Sequence, residues 1–304
     1  MRMRGRRPLG PAPAAMAGRV LRTLLAHCLA MALAVTPAYA EPPRRVVSIN
    51  VCTDQLAMLL AAPGQLVSVS FLAADPDVSA LASMASDYRL NHGMGEEVFL
   101  LNPDLVLAGT YTNFATLALL ERLGFRVERF APEQSFSDVR ENILRMGSLL
   151  GVEERAKQIV AELDDRLQRL AQAQLSPLTV ATYASNSYTT GKNSLSEAVI
   201  EAAGLTNLGS KIGIHGGGHL PLEVLILSTP EIIANDSPIY HAPALAQENF
   251  VHPAYRALLE KAHSASVPSP SWICGGPFNL VAAERLQNAA RSYLGQQADA
   301  GTRE

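Results

Sequence analysis

Across residues 152–174 the apolar positions Val152, Ala156, Ile159, Val160, Leu163, Leu167, Leu170 and Ala171 recur at three- and four-residue steps. That spacing predicts a helix with one packing face and one wet face. Glu153 and Glu154 suit its N-terminus, and Glu153/Lys157, Glu162/Arg166 and Asp165/Arg169 are acid-before-base pairs four apart. At the rise of an α-helix such a stretch runs about 34 Å, roughly twice the helix of an ordinary βα unit. On both sides the pattern changes to short β-branched runs, each followed by a turn and a shorter helical stretch. The pattern therefore predicts an α/β protein: two parallel-sheet lobes joined by one long helix, with a ligand cleft between them.

In the first lobe, strands are expected at 46–49, 65–70, 105–108 and 126–130. Helices are expected at 54–62, capped by Thr53, and at 93–101, 114–123 and 137–150. Residues 73–92 have no clear period and read as an irregular excursion over the cleft rim. Beyond the long helix the same order begins again, with a strand at 178–183, a long exit loop at 184–192 and a helix at 194–203. TDQLAMLLAAPG and SLSEAVIEAAG are matching capped helices. Glu96, six residues, Pro103-Asp104 and an apolar strand match Glu223, six residues, Pro230-Glu231 and Ile232-Ile233-Ala234.

Alternating strands and helices imply parallel sheets, whose ligands bind beyond the strand C-termini. This rule nominates Asn50, Cys52, Thr53, Phe71, Tyr111 and Thr112 from the first lobe. From the second it nominates residues 186–189 with Tyr188, residues 236–240, and Trp272. Trp272 is the only tryptophan and sits in a Pro/Ser/Gly-rich segment, so cleft lining suits it better than a core role.

With 304 residues and 48% hydrophobic content the chain can bury two cores. Residues 1–23 hold six arginines and no acid, a short apolar run follows at 24–35, and Ala38-Tyr39-Ala40 is an A-x-A site. This predicts a secretory signal cleaved after Ala40, and the apolar run is too short to span a bilayer. Taking those six arginines from 25 bases leaves 19 against 28 acids, a formal charge of −9. That charge argues against nucleic acid or an anionic membrane surface as partner. Cys52 and Cys274 then remain; both follow predicted strand ends at the cleft, one per lobe, and are expected to approach each other. In an oxidising compartment they form either a disulfide or two separate small buried thiols.

Other motifs carry no chemistry. His215-Gly216-Gly217-Gly218 resembles an esterase oxyanion loop, but no G-x-S-x-G elbow accompanies it. Gly191-Lys192-Asn193 lacks the remaining residues of a phosphate-binding loop. Three glycines between His215 and His219 leave a pair of solvated loop histidines rather than a helical metal pair. No catalytic residue and no metal site are expected.

RVVSINVCTDQLAMLL, GEEVFLLNPDLVLAG, the long helix, YTTGKNSLSEAVIEAAG, LPLEVLILSTPEIIAND and WICGGP together resemble the substrate-binding proteins of ABC importers for ferric siderophores, haem and cobalamin. The resemblance implies a non-enzymatic, monomeric periplasmic protein with no cofactor and no membrane anchor, whose partners are an ABC permease with its ATPase. The implied cargo is a small-molecule metal chelate, a ferric siderophore or cobalamin, with haem as the alternative. It places permease-docking glutamates at Glu96 and Glu223, and cleft aromatics at Tyr111, Tyr188 and Trp272. The implied layout is a signal peptide at 1–40, lobes at 44–150 and 177–296, and the linking helix at 152–174. A secreted hydrolase or metal-dependent enzyme is the reading from another class; it needs a convergent acid/base or ligand set, which the sequence does not show.

Overall fold

The β-branched runs fold as the strands of two separate parallel sheets. The computed structural model describes residues 41–173, 175–235 and 245–301, and from Pro42 on the chain forms one compact unit. The predicted signal at 1–40 and the cleft nominees at 236–240 lie outside the described residues.

The first sheet contains β1 (Val46–Ser48), β2 (Leu66–Ser70), β3 (Arg89–Asn91), β4 (Leu105–Gly109) and β5 (Val127–Phe130) in the order β3-β2-β1-β4-β5, all parallel. Around it lie α1 (Val51–Leu60), α2 (Gly95–Leu101), α3 (Phe114–Arg122) and α4 (Phe136–Leu150), and α5 (Glu153–Ala171) leads to the second half. There follow β6 (Thr179–Thr182), β7 (Tyr188–Thr190), α6 (Leu195–Ala202), β8 (Thr206–Asn207), β9 (Gly217–His219), α7 (Leu222–Ser228), β10 (Ile232–Asn235), β11 (His263–Ser266), α8 (Pro270–Ile273) and α9 (Asn279–Gly301). The second parallel sheet runs β11-β10-β6-β8, and β7 and β9 form a separate antiparallel ribbon.

Side chains alternate across a strand, so each sheet serves two cores. Val46 and Leu107 of the first sheet and Val180 and Ile232 of the second belong to one buried cluster that also takes Leu163 and Leu170 of α5 and Leu286 of α9. The intervening residues face outward to a smaller core in each half: Val47 and Val106 with Val98 and Leu120, and Ala181 and Ile233 with Tyr183 and Leu225. The helix predicted from periodicity thus packs where the two halves share their apolar surface.

Several local expectations are corrected. The excursion at 73–92 ends in a true edge strand, β3, because buried Asn91 donates from Nδ2 to Ser48 O (2.9 Å), Ser68 Oγ (2.8 Å) and Val69 O (2.9 Å). One buried amide thereby supplies what apolar period does not. α1 starts earlier than expected, capped by Asn50, whose Oδ1 accepts from Cys52 N at 3.0 Å. α5 ends at Ala171, and two of its predicted pairs are replaced: Lys157 reaches Glu154 (2.7 Å) and Arg166 reaches Glu284 on α9 (2.7 Å), while Asp165 and Arg169 do pair. The glycine segment after His215 is strand β9 rather than a free loop. α9, at 23 residues, is longer than α5, and the spacing of Leu280, Ala283, Leu286 and Ala290 carries its signal. No helix among the described residues is long and apolar enough to cross a membrane.

Candidate functional site

The strand C-termini of both sheets open onto adjoining cavities. The first, about 480 Å³ of empty space including open solvent, is lined by Asn50, Thr53, Thr110, Tyr111, Phe130 and Glu133, among others. The second, about 820 Å³ measured in the same way, is lined by Thr182, Tyr183, Tyr188, Thr190, Ser196 and Trp272, among others. Ile273 of α8 lines both, so one side chain from the second half stands between them.

Two ties hold this floor together. Cys52, in the first turn of α1, is bonded to Cys274 just after α8, across a sequence separation of 222 residues. Beside it the buried Glu133 accepts from Asn142 Nδ2 (2.7 Å) within its own half and from Gly275 N (3.1 Å) in the other. A Cβ on Gly275 would stand 2.5 Å from Glu133 Cδ, so the backbone comes this close only because residue 275 is glycine. Asn279 braces the same turn, donating from Nδ2 to Ser271 O and Cys274 O (2.8 Å each) and accepting from Gly276 N (2.7 Å).

The second cavity is hydroxyl-rich. Thr182 Oγ1 lies 2.9 Å from Thr189 Oγ1 and 3.2 Å from Thr190 Oγ1, and Thr189 Oγ1 donates to Thr182 O (2.6 Å). The loop delivering these residues folds back on itself, with Ala184 N donating to Tyr188 O (2.8 Å), and it places Asn186 and Ser187 at left-handed φ values of 57° and 55°. Tyr183 OH meets Ser187 Oγ at 3.0 Å. Burial pushes the Tyr183 phenol pKa up, with the Glu223 carboxylate adding to the effect and the Ser187 bond opposing it, so the ring stays neutral.

Of the residues nominated from sequence, Asn50, Cys52, Thr53 and Tyr111 line the first cavity, and Tyr188, Thr189 and Trp272 line the second. Tyr111 is 89% exposed and Tyr188 50%. Phe71 and Thr112 line neither. Phe71 stacks on His92 at 5.3 Å between ring centroids, and the Thr112 hydroxyl accepts from Gly109 N (3.0 Å) inside its own turn. Glu96 and Glu223 are exposed in the first turns of α2 and α7. Sequence reasoning nominated Thr189 but missed Glu133, Ile273, Thr182 and Thr190. The Tyr-Thr-Thr run after a strand exit was the available signal for the threonines, and nothing local marked Glu133. Among the described residues no group of three or more His, Cys, Asp or Glu side chains is placed to hold a metal ion.

A family model described as "Periplasmic binding protein" matches residues 46–244. A cobalamin-binding protein of Halobacterium salinarum is 28% identical over 196 residues, 63% of this chain and 53% of that protein, so the chain spans about half the length of the curated relatives it matches. Among solved structures, the periplasmic vitamin B12 binding protein BtuF of Vibrio cholerae superposes with a TM-score of 0.64 at 18% identity, covering 83% of this chain and 98% of that one. The periplasmic heme-binding protein RhuT from Roseiflexus sp. RS-1 superposes with a TM-score of 0.61 at 20% identity, covering 81% and 99%. At these identities the structural matches establish the two-lobed fold.

Proposed function

The chain belongs to the periplasmic binding protein family, whose members are non-enzymatic, bind small chelates and work with ABC importers, and on that premise we propose that its cargo is a corrinoid of the cobalamin type. The observation that carries this reading is the lining. The two cavities offer aromatic rings, hydroxyls and backbone groups, but no lysine, arginine or histidine among the described lining residues. The one carboxylate, Glu133, already has a donor on each oxygen. Desolvating the propionates of haem or the anionic groups of a catecholate siderophore calls for cations. A corrinoid presents a flat apolar face to aromatic rings and uncharged amides to hydroxyls. The 28% identical relative named as cobalamin-binding supports the same choice. An uncharged ferric hydroxamate has similar chemistry and is the second reading.

Titrating Trp272 fluorescence with cyanocobalamin, a ferric hydroxamate and haemin tests this. Cyanocobalamin is expected to bind at least about tenfold tighter than the others, a gap of about 1.4 kcal/mol. Preferential haemin binding with a shifted visible spectrum would move the cargo to haem.

The finer assignments belong to the same reading. Export with cleavage after Ala40 rests on the basic start, the short apolar run and the A-x-A site; N-terminal sequencing of the exported protein checks it. Lobes at 44–150 and 177–296 with a linking helix at 152–174, a monomeric state, and docking of Glu96 and Glu223 onto permease arginines complete it. Exposure of both carboxylates supports the docking role.

A further inference from the structure

The helices carrying Glu96 and Glu223 repeat each other beyond the two glutamates. α2 and α7 are each seven residues long. Two residues after each glutamate, Val98 and Leu225 point inward at 0% exposure. Each helix ends on a left-handed residue that is not glycine, Asn102 (φ 45°) and Thr229 (φ 42°), followed by a buried proline, Pro103 and Pro230. The next residue is an acid that tethers the start of its lobe's first strand. Asp104 accepts from Arg44 N (2.7 Å) and Arg45 N (3.0 Å), and Glu231 accepts from Thr179 N (2.8 Å). The strands that follow then pair in the same way, Leu105 with Val46 and Ile232 with Val180.

On this duplicated frame one feature has no packing role. Four residues after each glutamate stands a leucine open to solvent, Leu100 at 77% and Leu227 at 82% exposure. Residues four apart share a helix face, so each helix presents a carboxylate and an apolar side chain side by side. Single exposed leucines are ordinary on protein surfaces, but the same one in the same place on both lobes is not accounted for by chance exposure. Phe99, three residues after Glu96, and Val224, three residues before Leu227, are also exposed on these faces. Neither Glu96 nor Glu223 has an ion-pair partner among the described residues, leaving each carboxylate available to a cation.

We infer that Leu100 and Leu227 are twin apolar anchors, each seated in a pocket beside a basic side chain on one half of the permease. This rests on the docking reading of Glu96 and Glu223 and extends it. Two equivalent acid-plus-apolar patches fit an occupant with two equivalent faces, and the leucines exclude water from the ion pairs beside them. The carboxylates then set orientation and salt dependence, and the leucines lengthen the complex's lifetime.

The test measures docking of the full mature chain to the importer's permease–ATPase complex in proteoliposomes, with cargo affinity and melting temperature measured alongside. Leu100→Ser/Leu227→Ser should weaken docking by tenfold or more through faster dissociation, keeping the wild-type salt dependence, cargo affinity and melting temperature. Each single variant should account for about half the effect on a logarithmic scale. Glu96→Gln/Glu223→Gln should weaken docking and flatten its salt dependence. Loss with the glutamine pair but not the serine pair would overturn the anchors and leave the docking reading intact; loss with neither would overturn both. An effect from only one leucine would overturn the pairing. Binding of wild type to protein-free phosphatidylcholine/phosphatidylglycerol vesicles, or a concentration-dependent dimer, would overturn the permease as occupant if either were abolished in the serine pair.

Discussion

The two lobes are alike at the helices that carry Glu96 and Glu223 and different where they line the cavities. On the helices bearing Glu96 and Glu223 the correspondence holds residue by residue, through the buried position, the left-handed end, the proline and the strand tether. At the cleft it breaks down. The first lobe closes its sheet with the edge strand β3 and gives the smaller cavity a lining of loop backbone, Tyr111 and the occupied Glu133. The second inserts the β7–β9 ribbon, holds two consecutive residues at left-handed φ to do so, and offers a larger cavity of threonines, tyrosines and Trp272. A partner with two equivalent halves favours two equivalent surfaces, whereas a cargo without such symmetry does not. On the proposed reading, the difference between the lobes separates the docking surface from the cargo surface.

The comparison can be broken most forcefully at the bond joining the lobes. Cys52→Ser/Cys274→Ser removes a cross-link closing a very long loop and is expected to cost about 2–5 kcal/mol of stability, read as a lower urea midpoint. A midpoint unchanged from wild type would leave the remaining interlobe contacts as the sole stabilising tie.

Next in size is a contrast in buried charge. Both first helices carry an acid in the first turn held by a serine hydroxyl: Asp54 by Ser70 at the end of the following strand (2.5 Å), and Glu197 by Ser210 just beyond its following strand. Asp54 is wholly buried, while Glu197 keeps solvent contact. Burial raises the Asp54 pKa from 3.8 to about 6, offset in part by bonds to Ser48 and Ser70. The folded state therefore holds this proton more tightly than the unfolded chain. Below about pH 4 both states are protonated and the group contributes no penalty. Stability falls as pH rises from about 4 to 6, and above that it is lower by about 3 kcal/mol. Denaturant melts of wild type and Asp54→Asn across this range should show the wild type losing stability relative to the variant as pH rises.

The asymmetry of the cavities is sharpened by aromatic truncation. Trp272→Ala is expected to weaken cargo binding more than tenfold, over about 1.4 kcal/mol, and Tyr111→Ala by less, since Tyr111 is 89% exposed. Isothermal titration of both variants checks the ranking; a larger loss at Tyr111 would place the main contact on the first lobe. The smallest effect expected is at the caps. Asn50→Ala and Ser194→Ala each remove the side-chain acceptor of a lobe's first helix and should each cost about 1 kcal/mol in thermal unfolding. Equal losses would mark these helix starts as a shared part of the two lobes.

Apolar periodicity and β-branched runs were enough to read the two parallel sheets, most of the helices and the long helix α5, because those signals report burial that every arrangement of the elements must satisfy. The internal repeat was equally legible, since Glu96…Pro103-Asp104 and Glu223…Pro230-Glu231 encode turns confined to a few residues, although the tethers those acids make reach back 60 and 52 residues to Arg44 and Thr179. Tertiary structure alone decided the rest. Asn91 makes a strand of a segment with no period by bonding to β1 and β2, and Arg166 leaves its predicted neighbour for Glu284, 118 residues away. Cys52 meets Cys274, and Glu133 closes on a glycine 142 residues distant. Phe71 and Thr112 follow strand ends as the rule for ligand sites requires, yet one stacks on His92 and the other bonds within its own turn. A strand exit specifies which end of the sheet a residue occupies; which way its side chain points, and what it meets there, depends on segments arriving from elsewhere in the chain. The sequence determined the elements and their repetition, and only their packing decided which side chains share the cleft.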